Sequence, residues 1–396
     1  MSMNEQMEES EASILHTYNR FPVVFEKGEG CYLYDSEGKE YLDFAAGIAV
    51  NALGYHYPGY DEALKSQIDK LMHISNLYYN EPIIEAGAKL VQASHMEKAF
   101  FTNSGTEAIE GALKAAKKYA YERDGHADHE IIAMNHSFHG RSIGALSVTG
   151  NAHYREPFEP LMGGVKFADF NDLESVKAQI TDKTCAIITE VVQGEGGIYP
   201  AKKEFLEGLR QICDEKDIML IFDEIQCGMG RTGHYFAWQA YGVQPDIMTS
   251  AKALGCGVPV GAFVLNEKAA KASLEPGDHG TTYGGNPFVC AAVSKVFDIY
   301  ENDKIIEHVQ EMTPYLEQKL DEIVAKHECA ATRRGMGFMQ GIVIQGRPVG
   351  EVVKAALAKG LLVISAGSDV LRIVPPLVIT KEHIDKMAAI LDECME

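Results

Sequence analysis

FFTNSGTEAIEGALKAAKKYA, residues 100–120, joins a short apolar strand to a helix, and this junction decides the fold. The helix is predicted to begin at Ser104, Gly105 and Thr106. Free backbone N–H groups, the positive end of the helix dipole and two hydroxyls make such a start suitable for a phosphate. The alternative is an ordinary Ser/Thr helix cap without a ligand. Apolar side chains then recur at helical spacing on one face, at Ala108, Ile109, Ala112, Leu113, Ala116 and Tyr119.

Helical stretches and short apolar runs alternate on both sides of this junction. The helical stretches are residues 60–72, 82–94, 107–121 and 203–216, and the apolar runs are KAFFT (98–102), EIIAM (130–134), CAIIT (185–189), IMLIF (218–222), DIMTS (246–250) and GAFVL (261–265). The alternation predicts an α/β fold in which helices cover a mainly parallel mixed sheet. Such sheets bind ligands beyond the carboxyl ends of their strands, so we expect functional residues just after the apolar runs.

The chain is long enough for more than one domain, because 396 residues exceed what one hydrophobic core usually holds. A hairpin is predicted from Cys31 to Phe44, and a long helix is predicted from Pro287 to about Ala325. The remainder suits a small α+β domain, with strand-like MQGIVI (339–344), LLVIS (361–365) and LRIVP (371–375) and with helices at 351–358 and 381–394. We predict an N-terminal segment at 1–57 that packs with the small domain, a large cofactor-binding domain at 58–297 and a small domain at 298–396.

Charge and cysteine usage narrow the partners and the compartment. With 36 Lys and Arg against 57 Asp and Glu, the formal net charge is −21, which repels nucleic-acid phosphates and anionic lipid. Neither nucleic acid nor a membrane is therefore expected as a partner. The eight cysteines include no CxxC pair, and the acidic N-terminus lacks the order of a secretory signal. Both features favour a cytoplasmic protein.

Two charged residues follow apolar runs that are expected to be buried. Asp223 comes directly after IMLIF, where a carboxylate is costly unless a cation lies against it. Lys252 lies between DIMTS and a glycine-rich turn, and desolvation there lowers the pKa of an amine and favours its attack on carbonyls. For Lys252 the alternative is an ion-paired or snorkelling lysine. A phosphate cup, an acid and an amine at three strand ends are together what pyridoxal phosphate requires.

Two other motifs offer competing interpretations. GMGRTG, residues 228–233, matches the GxGxxG of dinucleotide sites and follows a strand, so a nicotinamide-dependent oxidoreductase is the rival function. We interpret it instead as a glycine-rich active-site loop, because no acidic residue stands about 20 positions on. His126 and His129, in HADHE, are interpreted as part of a solvated loop rather than a metal site, because no third ligand is near in sequence.

The chain resembles the class III (ornithine-type) aminotransferases of pyridoxal phosphate fold type I over nearly its whole length. The motifs FFTNSGTEAIEGALKAA, FHGR, GEGG, FDEIQCGMGRTG, SAKALG and HGTTYGGNP occur in the family's order. The subgroup that acts on acetylated ornithine is the most similar in SNLYYNEP, residues 75–82, and in GMGRTG. The resemblance implies a transaminase that works as a homodimer.

The same resemblance implies roles for particular residues. Around the cofactor it places Ser104, Gly105 and Thr106 at the phosphate, Asp223 at the ring nitrogen, Gln226 at the ring hydroxyl, Phe138 on the ring face, Lys252 as the catalytic and covalently attached amine, and Thr282 at the phosphate of the neighbouring subunit's cofactor. Around the substrate it places Arg141 and Arg372 as carboxylate-binding arginines, Glu195 as the acid that pairs with Arg372, and Thr281 beside the substrate.

The implied reaction moves the terminal amine of N2-acetyl-L-ornithine to 2-oxoglutarate, giving N-acetyl-L-glutamate 5-semialdehyde and L-glutamate, as in arginine biosynthesis. Ornithine, succinylated ornithine or diaminopimelate, and 4-aminobutyrate remain alternative donors, and a catalytically silent family member is a further alternative. Two departures from the family pattern bear on substrate range. Cys256 stands where glycine is common, and Thr281 stands where serine is usual.

Overall fold

A computed structural model describes residues 2–396. Its strands β1 to β17 are, in chain order, Phe25–Glu29, Tyr32–Asp35, Glu40–Asp43, Lys98–Thr102, Glu130–Met134, Val165–Ala168, Thr184–Glu190, Val192–Gln193, Tyr199–Pro200, Met219–Asp223, Ile247–Ser250, Gly261–Leu265, Ala330–Met336, Met339–Ile344, Leu361–Leu362, Ile364–Ala366 and Val370–Ile373. Its helices α1 to α14 are Met3–Ser13, Ala46–Ala49, Tyr60–Lys70, Glu81–Ser94, Gly105–Asp124, Ile143–Ser147, Ala152–Arg155, Leu173–Gln179, Lys203–Lys216, Glu267–Ala272, Pro287–Asn302, Ile305–Lys326, Val349–Ala358 and Lys381–Met395.

A seven-stranded sheet forms the centre of the molecule, with the strand order β4-β12-β11-β10-β7-β5-β6. The pairs among β11, β10, β7, β5 and β6 are parallel, whereas β12 runs antiparallel to both of its neighbours. Strands β7, β10, β11 and β12 are buried along their whole length, as expected where helices cover both faces. The predicted α/β fold with a mainly parallel mixed sheet is confirmed.

Two smaller sheets lie outside this one. The predicted hairpin between Cys31 and Phe44 is present as β2 and β3, which belong to a sheet of order β1-β2-β3-β15. Because β15 comes from the C-terminal part of the chain and pairs with β3, this sheet joins the two ends of the sequence. The other sheet has the order β13-β14-β17-β16. The domain boundaries at residues 57 and 297 stay a prediction.

Two sequence predictions about the C-terminal part were wrong. The helix predicted from Pro287 to Ala325 is two helices, α11 and α12, because Lys304 adopts a left-handed conformation, with φ 53°, that a helix cannot contain. The run LLVIS is not one strand, because Leu361–Leu362 pairs with β3 while Ile364–Ala366 pairs with β17. The apolar pattern could not show either break, since it continues across both.

The loop of residues 228–233 differs from a dinucleotide-binding turn. It follows β10 but leads into a short 3-10 helix, Ala237–Ala240, rather than the long helix whose N-terminus would bind a pyrophosphate. A Cβ on Gly230 would lie about 3 Å from Leu377, Ile306 and Tyr300, so the loop packs against the C-terminal part of the chain. It does not line the cavity described below, which corrects our interpretation of it as an active-site loop.

Across residues 2–396, none of the helices combines the length and the apolar character needed to cross a lipid bilayer.

Candidate active site

One cavity of about 500 Å³ lies at the carboxyl edge of the seven-stranded sheet. The ends of β4, β5, β7, β10 and β11 meet at this edge, and each is followed by a loop that contributes to the wall. The sequence argument that functional residues follow the apolar runs is therefore satisfied for these strands. The predicted site residues that line the cavity are Ser104, Gly105, Thr106, Phe138, Arg141, Asp223, Gln226 and Lys252.

The start of α5 forms a cup for an anion at one end of the cavity. Ser104 is the N-cap residue, and its hydroxyl accepts a hydrogen bond from the backbone N–H of Glu107 at 3.3 Å. The preceding N–H groups of Gly105 and Thr106 have no acceptor within the helix, as at every helix start. A Cβ on Gly105 would lie 2.9 Å from Cδ1 of Ile225, so the close packing here requires glycine. The cup therefore offers free donors at the positive end of a 20-residue helix.

A hydrogen-bonded chain fixes the side chain of Thr106 in this cup. The Thr106 and Ser142 hydroxyl oxygens lie 2.7 Å apart, and the Ser142 hydroxyl donates to the carboxylate of Glu110 at 2.5 Å. Gly140 approaches from the other side with φ 141°, and a Cβ there would lie only 2.4 Å from Oγ1 of Thr106. Sequence analysis assigned no role to Ser142, Glu110 or Gly140. Gly140 stands within the quoted FHGR motif, but the other two stand alone.

Asp223 is the buried acid of the site. It ends β10, where its neighbours in register are Thr249 on β11 and Glu190 on β7. Its Oδ1 accepts hydrogen bonds from the backbone N–H of Ile225 at 3.0 Å and from the Thr249 hydroxyl at 3.2 Å. Its Oδ2 lies 2.7 Å from Nδ1 of His139, whose side chain is fully buried. Asp223 thus occupies one fixed orientation at the bottom of the cavity.

Glu190 is a second buried acid that the sequence analysis missed. It ends β7, lines the cavity and accepts hydrogen bonds from the backbone N–H groups of Gly194 and Phe138, at 3.2 and 3.4 Å. Burial, together with the neighbouring charge of Asp223, raises the pKa of Glu190 well above its usual value. The side chain therefore stays protonated at neutral pH, and one negative charge is avoided beside Asp223. Its position at the end of an apolar run was the signal that could have identified it.

Lys252 lies just after β11, opposite the anion cup. Its backbone is held in the left-handed region, at φ 49°, which is strained for a residue with a side chain. Burial lowers the pKa of Lys252 to about 8, although the negative charge of Glu195 opposes that shift. Among residues 2–396 no acceptor lies within hydrogen-bonding distance of the amine. A substantial fraction of Lys252 is therefore an unprotonated and unengaged amine near neutral pH, which is the nucleophilic form.

Phe138 and Arg141 form the opposite wall and the mouth of the cavity. The Arg141 guanidinium carbon lies 3.8 Å from the ring centroid of Tyr154 and 5.5 Å from that of Phe138. This stacking fixes the plane of the guanidinium and leaves its N–H edge free. In the part of the chain that the structure describes, no carboxylate pairs with Arg141. Arg141 is thus a fixed and unneutralised cation at the entrance.

Arg372 and Glu195 form a bidentate ion pair that adjoins the cavity. The two guanidinium nitrogens Nη1 and Nη2 of Arg372 lie 2.5 and 3.1 Å from the Glu195 carboxylate oxygens. Gln226 links the pair to the cavity wall, since its amide donates to Glu195 at 3.3 Å and accepts from Arg372 at 3.1 Å. Burial alone would raise the pKa of Glu195, but Arg372 outweighs it and holds that pKa below its usual value. The pair is an ionised and preformed element.

The two predicted threonines lie outside the cavity wall. Thr281 accepts a hydrogen bond from the side-chain amide of Asn103, a lining residue, at 3.2 Å, so it stands directly behind the wall. Thr282 is exposed and reaches none of the cavity of its own chain. Cys256 is buried but does not line the cavity, although Gly257 beside it does. Its φ of 43° supplies a physical reason why glycine suits this position.

Fold and site together define an α/β enzyme that holds an anion, a buried carboxylate and a nucleophilic amine in one cavity. The chain belongs to the class III aminotransferases: the family model described as aminotransferase class-III matches residues 14–395. An acetylornithine aminotransferase of Clostridium acetobutylicum is 47% identical over 388 residues, which cover 98% of this chain and 100% of that protein. An acetylornithine aminotransferase of Methanocaldococcus jannaschii is 48% identical over 383 residues, with coverage of 96% and 95%.

Among solved structures, the ornithine aminotransferase of Toxoplasma gondii ME49 superposes with a TM-score of 0.95 at 28% identity, covering 100% of this chain and 95% of that one. Membership of the family confirms the resemblance stated from the motifs, and it confirms that the protein is a transaminase. It excludes the nicotinamide-dependent alternative.

Proposed function

We propose that the cavity binds pyridoxal 5'-phosphate. The residues present fit this cofactor: the cup at the start of α5 suits its phosphate, and the flat side chain of Phe138 suits one ring face. Asp223 supplies a buried negative charge for a ring nitrogen, and Lys252 supplies the amine for covalent attachment. The single observation that carries the proposal is that these groups, distant in sequence, line one cavity.

The protein's own residues would divide the work of transamination. When bound, the cofactor supplies an electron-withdrawing ring that stabilises negative charge on the substrate carbon next to the amine. Asp223 holds a proton on the ring nitrogen, and the hydrogen bonds from Thr249 and Ile225 keep its carboxylate in place. Lys252 Nζ, released by the incoming amine, moves the proton from the reacting carbon of the substrate. Its pKa of about 8 suits both holding and giving up that proton near neutral pH.

We propose N2-acetyl-L-ornithine as the amine donor and 2-oxoglutarate as the acceptor. The two relatives reported above are both acetylornithine aminotransferases, which supports this choice. Arg141, fixed at the cavity mouth without a partner carboxylate, suits the α-carboxylate of the donor. An acetyl group removes the positive charge of the donor's α-amine. Free ornithine would instead bring that charge close to the Arg141 guanidinium.

The ion pair of Arg372 with Glu195 would let one cavity take two different substrates in turn. While the pair is closed, Arg372 is neutralised and the neutral chain of the amine donor can lie against it. When Glu195 moves aside, Arg372 can bind the α-carboxylate of 2-oxoglutarate or of the product L-glutamate. Both half-reactions then share one site, so ping-pong kinetics are expected.

The proposed donor is tested by comparing kcat/KM for N2-acetylornithine, N2-succinylornithine, ornithine and 4-aminobutyrate, with 2-oxoglutarate as the common acceptor. We expect acetylornithine to exceed ornithine and 4-aminobutyrate by at least tenfold, about 1.4 kcal/mol. A tenfold preference for a donor without an acyl group would contradict the assignment. A preference for succinylornithine would keep the acylated class and change the acyl group.

We further propose that the protein acts as a homodimer. Part of SNLYYNEP forms an exposed apolar patch, with Leu77 87% and Tyr79 95% exposed. The Asn76 side chain in the same segment donates to the carbonyl of Gly284 at 2.8 Å, which joins the patch to the exposed loop that carries Thr282. A second copy seated on this patch would place Thr282 near its own cofactor phosphate.

Light scattering of the purified protein tests this assembly. We expect the mass of two chains, and we expect Tyr79→Asp to give monomers that have lost activity. Tyr121→Asp, at an exposed aromatic residue of α5, is the control and should remain a dimer. A fully active monomer would contradict the proposal. Eight free cysteines are consistent with the cytoplasm as the compartment, and arginine biosynthesis is the proposed pathway.

A further inference from the structure

The loop between α5 and β5 brings together three side chains that can ligate a metal ion. Asp124 ends α5, His126 stands two residues further on, and His129 directly precedes β5. One potential ligand atom from each of the three lies within 4.8 Å of the others. The sequence analysis set this loop aside because no third ligand was evident near the two histidines. The structure supplies the third ligand from the end of the helix.

We propose that Asp124, His126 and His129 form a binding site for a borderline divalent transition-metal ion of the zinc class. Two imidazole nitrogens and one carboxylate oxygen, with water in a fourth position, are a ligand set that such an ion accepts. Two imidazoles disfavour magnesium and calcium, which prefer oxygen ligands. The site lies outside the cavity, and the inference does not depend on the proposed substrate or cofactor.

The arrangement is nearly closed before any ion enters. The rings of His126 and His129 are stacked with centroids 4.9 Å apart and planes inclined by 14°. Nε2 of His129 lies 2.9 Å from Oδ2 of Asp124. Tetrahedral zinc with nitrogen and oxygen ligands at its usual bond lengths needs ligand atoms about 3.4 Å apart. Only a shift of about 1 Å is required, and the exposed His126 can supply it by rotating its side chain.

The charges around the site allow a cation to bind. Arg123 donates to both carboxylate oxygens of Asp124 at 2.6 Å, and these hydrogen bonds hold the pKa of Asp124 well below its usual range. The carboxylate is therefore always ionised, and each oxygen keeps a lone pair beyond the one that Arg123 uses. The C-terminal end of α5 adds the negative end of a helix dipole, which favours a cation. Lys183 is paired with Asp128 nearby and so is neutralised.

An ion here would connect the end of α5 to the start of β5. The opposite end of α5 forms the anion cup of the cavity, so the site would stabilise an element on which the active site depends. His126, Asp124 and Gly125 are exposed, which leaves an open path for the ion. We therefore expect binding to raise thermal stability without taking part in transamination.

The experiment is equilibrium dialysis of tag-free holoenzyme against Zn²⁺, followed by metal analysis and thermal denaturation. We expect one zinc ion per chain and a rise in Tm of about 2 °C or more. His126→Ala should weaken binding at least tenfold and remove the rise in Tm, while the Tm without metal stays unchanged. His126→Cys should restore binding, because a thiolate is a zinc ligand and a merely structural role would not be rescued.

His56→Ala is the matched control. His56 is an exposed histidine whose Nδ1 lies 2.5 Å from Oδ2 of Asp61, but no second imidazole is part of that pair. Zinc binding should be unchanged in this variant. Zinc retention below one ion per chain, or equal affinities for the wild type and His126→Ala, would overturn the proposal.

Discussion

His139 and Asp223 form a buried pair beneath the cavity, with Nδ1 of the imidazole 2.7 Å from Oδ2 of the carboxylate. The two residues come from different strand ends, since His139 follows β5 and Asp223 ends β10. The imidazole occupies one carboxylate oxygen, and Thr249 and Ile225 occupy the other. Asp223 therefore cannot rotate without breaking a hydrogen bond, and its charge is held where a cofactor ring nitrogen would lie.

Replacing Asp223 by Asn is expected to reduce the rate of the amine half-reaction by about 100-fold, or about 2.7 kcal/mol. The amide has nearly the same shape but lacks the charge that would keep the ring nitrogen protonated. Rapid-mixing absorbance measures this rate, and dialysis measures the accompanying loss of cofactor. Asp246→Asn is the control, because Asp246 is a buried acid that pairs with Arg210 at the start of β11. It should lower stability while cofactor retention stays normal.

Gly140→Ala is expected to weaken cofactor retention at least tenfold. The added Cβ would lie 2.4 Å from Oγ1 of Thr106, and alanine would be strained at φ 141°, so the cup must distort. Gly163→Ala is the matched control, because no atom lies within 4 Å of a Cβ at that position. Fluorescence titration of both variants with pyridoxal phosphate compares them. Equal affinities would show that the geometry around Thr106 does not matter for phosphate binding.

Glu195→Gln is expected to separate the two half-reactions. Without the carboxylate, Arg372 keeps an uncompensated charge beside the neutral chain of acetylornithine, so kcat/KM for that donor should fall about tenfold or more. The value for 2-oxoglutarate should hold or rise, because its carboxylate no longer competes with Glu195. Glu204→Gln, an exposed acid in α9, should change neither. Equal losses for both substrates would argue against a switching role.

Lys252→Met is expected to stabilise the cofactor-free protein at pH 7. Because burial lowers the pKa of Lys252 from 10.5 to about 8, the folded wild type carries a costly buried charge at pH 7. Between pH 8 and 10.5 the unfolded chain holds a proton that the folded chain has released, so wild-type stability rises there with pH. The advantage of the variant, at most about 3 kcal/mol, should shrink across that window.

Melting temperatures of the two cofactor-free proteins between pH 7 and 10 measure this difference. Lys65→Met, at an exposed lysine of α3, serves as the control and should show no such trend against the wild type. A stability difference that stays constant with pH would mean that Lys252 titrates normally.

Much of the site was predictable from sequence because parallel sheets gather strand ends at one edge. Ser104, Asp223 and Lys252 each follow an apolar run, and the structure brings all three to one cavity. Glu190 was missed although it obeys the same rule, since a lone acid at a strand end carries no motif. His139 was missed because its partner Asp223 is 84 positions away, and spacing along the chain gives no sign of that contact.

Contacts between distant segments explain the remaining errors. Lys304 breaks the predicted long helix through one left-handed residue, which the apolar periodicity does not encode. Asp124 joins His126 and His129 because α5 ends three turns later than the apolar pattern alone required of it, at Asp124 rather than at Tyr121 in the prediction. In both cases one residue at a helix end decides the outcome.

The central claim is that Lys252 carries pyridoxal phosphate covalently, and borohydride reduction followed by peptide mass mapping tests it most directly. We expect loss of the visible absorbance and one reduced pyridoxyl adduct per chain, located on Lys252. Lys252→Ala should bind cofactor at the cup without forming the adduct and should show no transamination. An intact mass without the adduct in excess cofactor, or an adduct on another lysine, would contradict the account.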